Sequence, residues 1–129
     1  MKIKTSELEG AALDLAVGIA INGKSIMTDI YGVHILGRSI WREVEEGRIC
    51  PSTDWSQGGP LIDELVTVLV DSNLGGEWYA ECSTNMHGRP LDEFDGKGPS
   101  ALIAAMRAIV ASEIGDEVDV PDDLMEVVS

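Results

Sequence analysis

The residues best suited to molecular recognition lie in one short segment, 50–60, with the sequence CPSTDWSQGGP. Its tryptophan can stack on a partner, while the neighbouring short polar side chains can fix the orientation of a bound group. Turn chemistry explains the same residue types without a ligand, since the aspartate can bond its own backbone and the indole can fill the core. The candidate binding residues of this segment are Ser52, Thr53, Asp54, Trp55, Gln57, Gly58 and Gly59.

The two glycines before Pro60 raise a second kind of chemistry, the binding of an anion by backbone N–H groups at the start of a helix. Two acids, Asp63 and Glu64, follow at once and would repel a phosphate. The segment also has neither a GxGxxG pattern nor the lysine of a P-loop. The sequence therefore gives little support to a phosphate site.

Arg107 is the single charged residue between positions 101 and 110, in an otherwise apolar stretch. A buried guanidinium nearly always has a carboxylate partner, and we expect Asp54 or Glu81 to form an internal ion pair with it. The functional alternative is an anion-binding arginine at the floor of a pocket lined by Trp55 and Trp78. Trp78 and Arg107 therefore complete the set of candidate binding residues.

No group of residues in the sequence forms an evident catalytic or metal site. The possible metal ligands are scattered singly, at His34, Cys50, Cys82 and His87. Zinc sites usually show paired ligand spacing, and these residues are also the only source of a thiol–imidazole pair for nucleophilic catalysis. The acidic pair Asp92 and Asp95 lies in a glycine-rich segment, where both carboxylates are expected to be solvated. We therefore expect no catalytic residue, no metal and no cofactor, and the sequence does not indicate an enzyme.

The chain carries a net charge of −14, and its acids are concentrated toward the end, where seven acids and no base follow Arg107. Direct binding to nucleic acid is disfavoured, because affinity for a duplex comes mainly from lysines and arginines. The acidic surface either meets a basic partner or serves solubility. No apolar signal segment or bilayer-length apolar run is present, which predicts a cytoplasmic protein without a membrane span and with reduced cysteines.

Hydrophobic periodicity and turn residues predict the elements that carry these side chains. In the first part of the chain we expect a short strand over 1–4, a helix from a Ser6/Glu9 capping box to about Ala20, a turn at Asn22-Gly23, a strand over 26–36 and a hairpin over 38–50. A charged helix over 38–46 is the alternative to the hairpin.

After segment 50–60, read as an ordered loop, we expect one helical turn starting at Pro60, a buried central strand over 65–70, an alternating strand over 77–82 and a long loop over 83–98. The strongest helix pattern spans 99–114 and ends at Gly115, followed by an edge strand over 117–120 and a last helical turn over 122–127. Together these elements predict a single α+β domain over 1–129. In it an antiparallel sheet of four or five strands packs against the first and last long helices.

The chain contains KTSELEGAALDLAV at 4–17, PSTDWSQGGP at 51–60 and GPSALIAAMRAIVASEIGDEVDVP at 98–121. In this order the three stretches resemble the NinX family, small accessory proteins of unknown function from lambda-like phages and prophages. The chain departs from the family pattern at 26–48 and 83–97. The resemblance implies a phage or prophage origin and a bacterial cytoplasm, and it supplies no activity.

Three functions are compatible with these features. The first is a non-catalytic module that binds a host or phage protein through the segment around Trp55 and the acidic end from about position 113. The second is a small-ligand-binding or enzyme domain with a pocket near Asp54, Trp55 and Arg107, and the third is an acidic inhibitor that mimics DNA. We expect the first, because accessory phage genes often encode binding proteins. A homodimer through an edge strand or the last helix is also compatible.

Overall fold

The computed structural model of the chain describes residues 2–21, 44, 47, 49–71, 77–84, 90–115 and 117–120. In chain order its elements are β1 (Lys2–Lys4), a 3₁₀ turn (Thr5–Glu7), α1 (Gly10–Ile21), α2 (Trp55–Leu65), β2 (Val68–Asp71), β3 (Trp78–Thr84), β4 (Pro90–Gly98), α3 (Ala101–Glu113) and β5 (Glu117–Asp119). The pairings among these strands are all antiparallel, which confirms the α+β prediction. The strands form two sheets rather than one, in the orders β1-β5 and β2-β3-β4.

Helix α3 lies at the centre of the fold and contacts α1, α2, β3 and β4. Its residues Ala104, Ala105, Met106 and Ala108 are fully buried, which confirms the prediction of a buried final helix. The Ser100 hydroxyl accepts a hydrogen bond of 3.2 Å from the Ile103 N–H, so the helix starts at Ala101 rather than at Pro99. Gly115, at a φ of 125°, follows the last turn as predicted.

Helix α1 begins later than predicted, at Gly10. The Leu8 N–H donates to the Thr5 carbonyl over 3.2 Å and closes a 3₁₀ turn, and Leu8 itself is extended. Ser6 therefore lies inside this turn and is not the N-cap of α1. Most of α1 is buried, including Asp14, because the helix packs against α3.

Strands β1 and β5 confirm the predicted short strands at the two ends of the described chain. Lys2 lies opposite Asp119 and Lys4 lies opposite Glu117, so opposite charges face each other across this pair. Such cross-strand pairs favour this register over its alternatives. Ile3, between the lysines, packs against the core.

Strand β3 confirms the predicted alternation, with Ala80 and Cys82 buried on one face. The prediction of a buried central strand over 65–70 is wrong. Leu65 is the last residue of α2, and β2 is an edge strand of the described sheet whose last two residues, Val70 and Asp71, are exposed. A short apolar run forms a fully buried strand only where other layers cover both faces of the sheet, and β2 is only partly covered along its length.

The predicted long loop over 83–98 is largely a strand. Residues 90–98 form β4, which pairs with β3 and packs closely against α3. A Cβ on Gly96 would overlap the Ala104 carbonyl oxygen and lie 2.5 Å from the Ala108 nitrogen. The glycines that suggested a loop are therefore needed for close approach of the strand to the helix backbone.

Segment 50–60 also differs from its prediction, because α2 starts at Trp55 and not at Pro60. The hairpin over 38–50 is contradicted at its described positions. Val44 is helical, the Gly47 N–H donates to the Val44 carbonyl over 3.0 Å, and Ile49 belongs to no strand. The strand predicted over 26–36, the turn at Asn22-Gly23 and the last helical turn over 122–127 lie outside the described residues.

Candidate functional site

Asp54 is the N-cap of α2, and its carboxylate is used by its own helix. Oδ1 accepts hydrogen bonds from the Ser56 N–H at 2.9 Å and from the Ser56 hydroxyl at 2.7 Å. These two bonds, led by that of the hydroxyl, hold the pKa of Asp54 below its ordinary value. The Asp54 backbone carbonyl accepts from the N–H groups of Gln57 and Gly58 and so closes the first helical turn. The structural alternative for Asp54, a side chain that holds its own backbone, is what the geometry shows.

Gln57 joins the turn to the helix. Its Oε1 accepts from the Cys50 N–H over 2.7 Å, and its Nε2 lies 3.5 Å from both Cys50 Sγ and Asp54 Oδ2. Thr53 is tied to the same residue, because its N–H donates to the Cys50 carbonyl over 3.1 Å. The polar groups of segment 50–57 therefore bind one another and make the start of α2 a rigid frame.

Trp55 stands on this frame with 56% of its surface exposed. The alternative in which its indole fills the core is wrong. A Cβ on Gly59 would lie 3.9 Å from the indole Cε3, so one edge of the ring rests beside Gly59 on the next turn. The exposed part of the residue, more than half of its surface, is open to a partner.

Gly58 has a packing role that the sequence did not reveal. A Cβ at this position would lie 2.5 Å from both Leu102 Cδ2 and the Pro51 carbonyl oxygen. The glycine therefore lets α2 approach α3 and the preceding turn more closely than any side chain would permit. The close approach accounts for Gly58 without an anion.

Asp14 is the buried polar residue that our sequence analysis missed. Its Oδ1 accepts a hydrogen bond of 2.8 Å from the Ser52 N–H, linking α1 to the turn before α2. Burial raises the pKa of Asp14 to about 6, while the backbone and hydroxyl dipoles of Ser52 lower it in part. The Ser52 hydroxyl is itself buried and makes no well-formed hydrogen bond, although it lies close enough to act on the carboxylate. A lone acid in the apolar run ALDLAV was the available signal, of the same kind that marked Arg107.

Both cysteines are free thiols, as predicted. Burial raises the pKa of Cys82 to about 11. The pKa of Cys50 is also raised, first by burial and then by the negative charges of Asp14 and Asp54. Neither thiol has the lowered pKa that marks a reactive cysteine. The histidines considered with them, His34 and His87, lie outside the described residues.

Arg107 does not pair with Asp54 or Glu81. Its Nε donates to the Leu8 carbonyl over 2.8 Å and its Nη1 donates to the Lys97 carbonyl over 2.6 Å. The guanidinium thus ties α3 to β4 and to the segment before α1 through backbone acceptors. Burial lowers the pKa of Arg107, and the nearby charges of Glu9 and Glu77 act in the opposite direction.

The Arg107 side chain borders a cleft of about 760 Å³. The cleft lies where the two sheets approach α3, and the residues that border it are Lys4, Thr5, Ser6, Glu77, Asp95, Gly96, Lys97, Arg107, Ala111 and Glu117. Neither Trp55 nor Trp78 is among them. On α3, Leu102 and Met106 meet Gly58 of α2, whereas Ile103 and Arg107 meet the glycines of β4.

The structure therefore divides the candidate residues into two regions. Those of segment 50–60 are together at the start of α2, and Arg107 lies at the cleft, on a different face of α3. Trp78 is half-buried and packs against the core, with its Cα partnered by Gly98 across the sheet. Within the described part of the chain, Trp55 belongs to an exposed surface at the start of α2 and Arg107 belongs to a polar cleft that Trp55 does not border.

Within the described parts of the chain, no group of three or more histidine, cysteine or acidic residues is placed to hold a metal ion. The helices in those parts are all too short or too polar to cross a bilayer.

The comparison with known proteins gives a family. No curated protein matches the chain. A family model described as bacteriophage P22 NinX matches residues 4–113, a range that includes α1, α2, α3 and the sheet β2-β3-β4. The match covers most of the sequence, and the chain therefore belongs to the NinX family of phage accessory proteins.

Proposed function

We propose that this phage accessory protein is a non-catalytic module that binds a host or phage protein in the bacterial cytoplasm. Its binding face is centred on Trp55, at the start of α2. The observation that carries the proposal is an indole left 56% exposed on a hydrogen-bonded frame. Tryptophan is the residue type most enriched among those that dominate binding energy at protein interfaces.

The rigidity of the frame favours binding. Asp54 caps the helix, Gln57 ties the helix to Cys50, and Gly58 holds the helix against α3. Because the backbone that carries the indole is already fixed, little conformational entropy is lost when a partner covers it. Exposed polar residues around the ring, Thr53 and Ser56, resemble the polar rim of an interface.

Charge indicates what kind of protein the partner is. The chain has a net charge of −14, and Asp63 and Glu64 are exposed on the same helix as Trp55. An arginine or lysine of a partner can stack on the exposed indole. Further basic residues of the partner can meet Asp63 and Glu64, about two turns along the helix. We therefore propose a partner with a basic contact surface.

The test is affinity capture from host lysate and from phage-infected cells, with wild type, Trp55→Ala and Val70→Ala as baits. Val70 is the matched control, because it is also an exposed apolar residue, at 47%, but lies on β2. A protein retained by wild type and Val70→Ala, lost with Trp55→Ala and released by added salt supports the proposal. Equal retention by all three folded baits, or retention insensitive to salt, contradicts it.

A further inference from the structure

A second site is indicated by the arrangement of charges at the cleft between the two sheets, which is separate from the Trp55 surface. Arg107 borders this cleft on α3, and Glu77 borders it just before β3. The two charges are close enough for Glu77 to act on the pKa of Arg107. Among the described residues, however, neither side chain forms a salt bridge. The cleft is therefore bordered by an arginine and an acid that are not joined by a direct ion pair.

Two hydrogen bonds to backbone carbonyls fix the position of the Arg107 guanidinium. Its Nε and Nη1 groups donate to the carbonyls of Leu8 and Lys97, at 2.8 and 2.6 Å. Gly98 leaves room for it, because a Cβ there would lie 3.3 Å from Nη1. No other hydrogen bond of this guanidinium involves the described residues, so within that part of the chain its remaining N–H donors have no partner. A fixed, partly desolvated guanidinium with unused donors is well suited to bind a carboxylate.

The remaining charges decide what kind of carboxylate fits. Among the described residues, three bases and three acids border the cleft, namely Lys4, Lys97, Arg107, Glu77, Asp95 and Glu117. This balanced border, on a chain of net charge −14, disfavours polyanions such as nucleotides. The volume of about 760 Å³ lies within the range of small-molecule sites.

We infer that the cleft binds a small zwitterion, an amino-acid-like molecule or short peptide. Its carboxylate pairs with Arg107 and its ammonium group pairs with Glu77. The inference goes beyond the proposed protein-binding function and does not depend on it, because the two sites share no residue.

The experiment uses the full chain, labelled with ¹⁵N, and three probes: triglycine, N-acetyl-triglycine and triglycine amide. Triglycine carries both charges, and each blocked form carries only one. We expect saturable shifts of the Gly96, Gly98 and Ala111 amides with triglycine. Each blocked probe should bind about threefold to fivefold more weakly, the range of a partly exposed ion pair.

Glu77→Gln is the decisive variant, because the Glu77 side chain has no hydrogen bond or ion pair among the described residues whose loss would disturb the fold. It should weaken triglycine binding to the level of the acetylated probe and leave the binding of that probe unchanged. Glu64→Gln, which removes an exposed acid from α2, is the control and should change nothing. Arg107→Gln should weaken binding of triglycine and of the acetylated probe by about threefold to fivefold and leave the binding of triglycine amide unchanged.

Several results would overturn the inference. These are the absence of saturable shifts at the cleft with triglycine, equal binding of all three probes, or triglycine binding unaffected by Glu77→Gln. Stronger binding of the acetylated probe than of triglycine would make the cleft a simple anion site and would also contradict the zwitterion.

Discussion

The carboxylate of Asp14, in the middle of α1, accepts a hydrogen bond of 2.8 Å from the backbone N–H of Ser52, in the turn before α2. This bond joins two stretches that the family resemblance had picked out separately, 4–17 and 51–60. It positions the turn from which the Trp55 frame is built. The same carboxylate is buried, so its ionised form costs free energy that the hydrogen bond offsets only in part. The size of this cost depends on pH.

The stability of the protein should respond to the ionisation of Asp14. Its folded-state pKa is raised to about 6 from 3.8, so the folded state holds the proton more tightly than the unfolded state. This group therefore lowers stability as pH rises from about 4 to about 6, with little further change above. Asp14→Asn keeps an oxygen acceptor for Ser52 without the charge. We expect Asp14→Asn to be about 1 to 3 kcal/mol more stable than wild type near pH 7.5, at about 1.36 kcal/mol per pKa unit.

Urea unfolding of both proteins at several pH values measures this effect. The advantage of Asp14→Asn should shrink toward pH 4. A constant difference across this range would show that Asp14 does not titrate with a raised pKa.

The glycine pair in α2 should separate into one essential and one replaceable residue. Gly58→Ala places a Cβ 2.5 Å from Leu102 Cδ2 and from the backbone oxygen of Pro51, which cannot move independently. We expect a loss of about 2 to 3 kcal/mol, as for other overpacked sites. Gly59→Ala meets nothing closer than 3.9 Å and should gain up to about 1 kcal/mol from helix propensity. Thermal unfolding of the two variants provides the comparison, and similar melting temperatures would be evidence against the close approach of α2 and α3.

Replacement of Arg107 should show that its structural role depends on the shape of the guanidinium as well as on its charge. Arg107→Met leaves the carbonyls of Leu8 and Lys97 without their donor, at a cost of about 2 kcal/mol. Arg107→Lys keeps the positive charge but cannot donate to both carbonyls in the same geometry, so we expect a loss of at least half that size. Urea titrations measure both. Wild-type stability of Arg107→Lys would mean that charge alone matters at this position.

The two thiols should differ in reactivity. Cys82 is buried with a pKa raised to about 11 from 9.0, so its thiolate fraction near pH 8 is about a hundredfold below that of an ordinary thiol. Cys50 is only partly buried and should react first with iodoacetamide, although more slowly than in the unfolded chain. Mass spectrometry of digested protein at increasing times gives both rates. Faster labelling of Cys82 than of Cys50 in the folded protein would contradict this arrangement.

The predictions from sequence succeeded where local pattern and burial agree. Apolar residues at helical spacing, with Pro99 before them and Gly115 after them, predict a helix over 99–114, close to the observed α3 at Ala101–Glu113. Alternation around Ile3, in β3 and around Val118 identified strands. In each case apolar side chains recur with the period of the helix or strand backbone, so neighbouring residues carry enough information to identify the element.

Predictions failed where a residue type has two physical uses. Gly96 and Gly98 were read as loop residues because they are flexible, yet here they serve as the smallest residues that fit between β4 and α3. Pro60 predicts a helix start, yet α2 begins five residues earlier, at Trp55, directly after the Asp54 cap. Which use applies depends on what packs against the residue, and that partner is distant in sequence.

In the candidate site, too, some features follow from the local sequence and others depend on residues that are distant in the sequence. The sequence by itself determined that segment 50–60 is ordered by its own polar groups, and that Arg107 must find a partner in an apolar helix. Only the tertiary structure decided that Trp55 faces outward, that Arg107 binds the carbonyls of Leu8 and Lys97, and that Asp14 holds the turn at Ser52. The reason is that a buried charge is unfavourable without a hydrogen-bonding partner, but the charge does not specify which group that partner is. The packing of the helices and sheets decides which backbone donor or acceptor lies within about 3 Å of the charge.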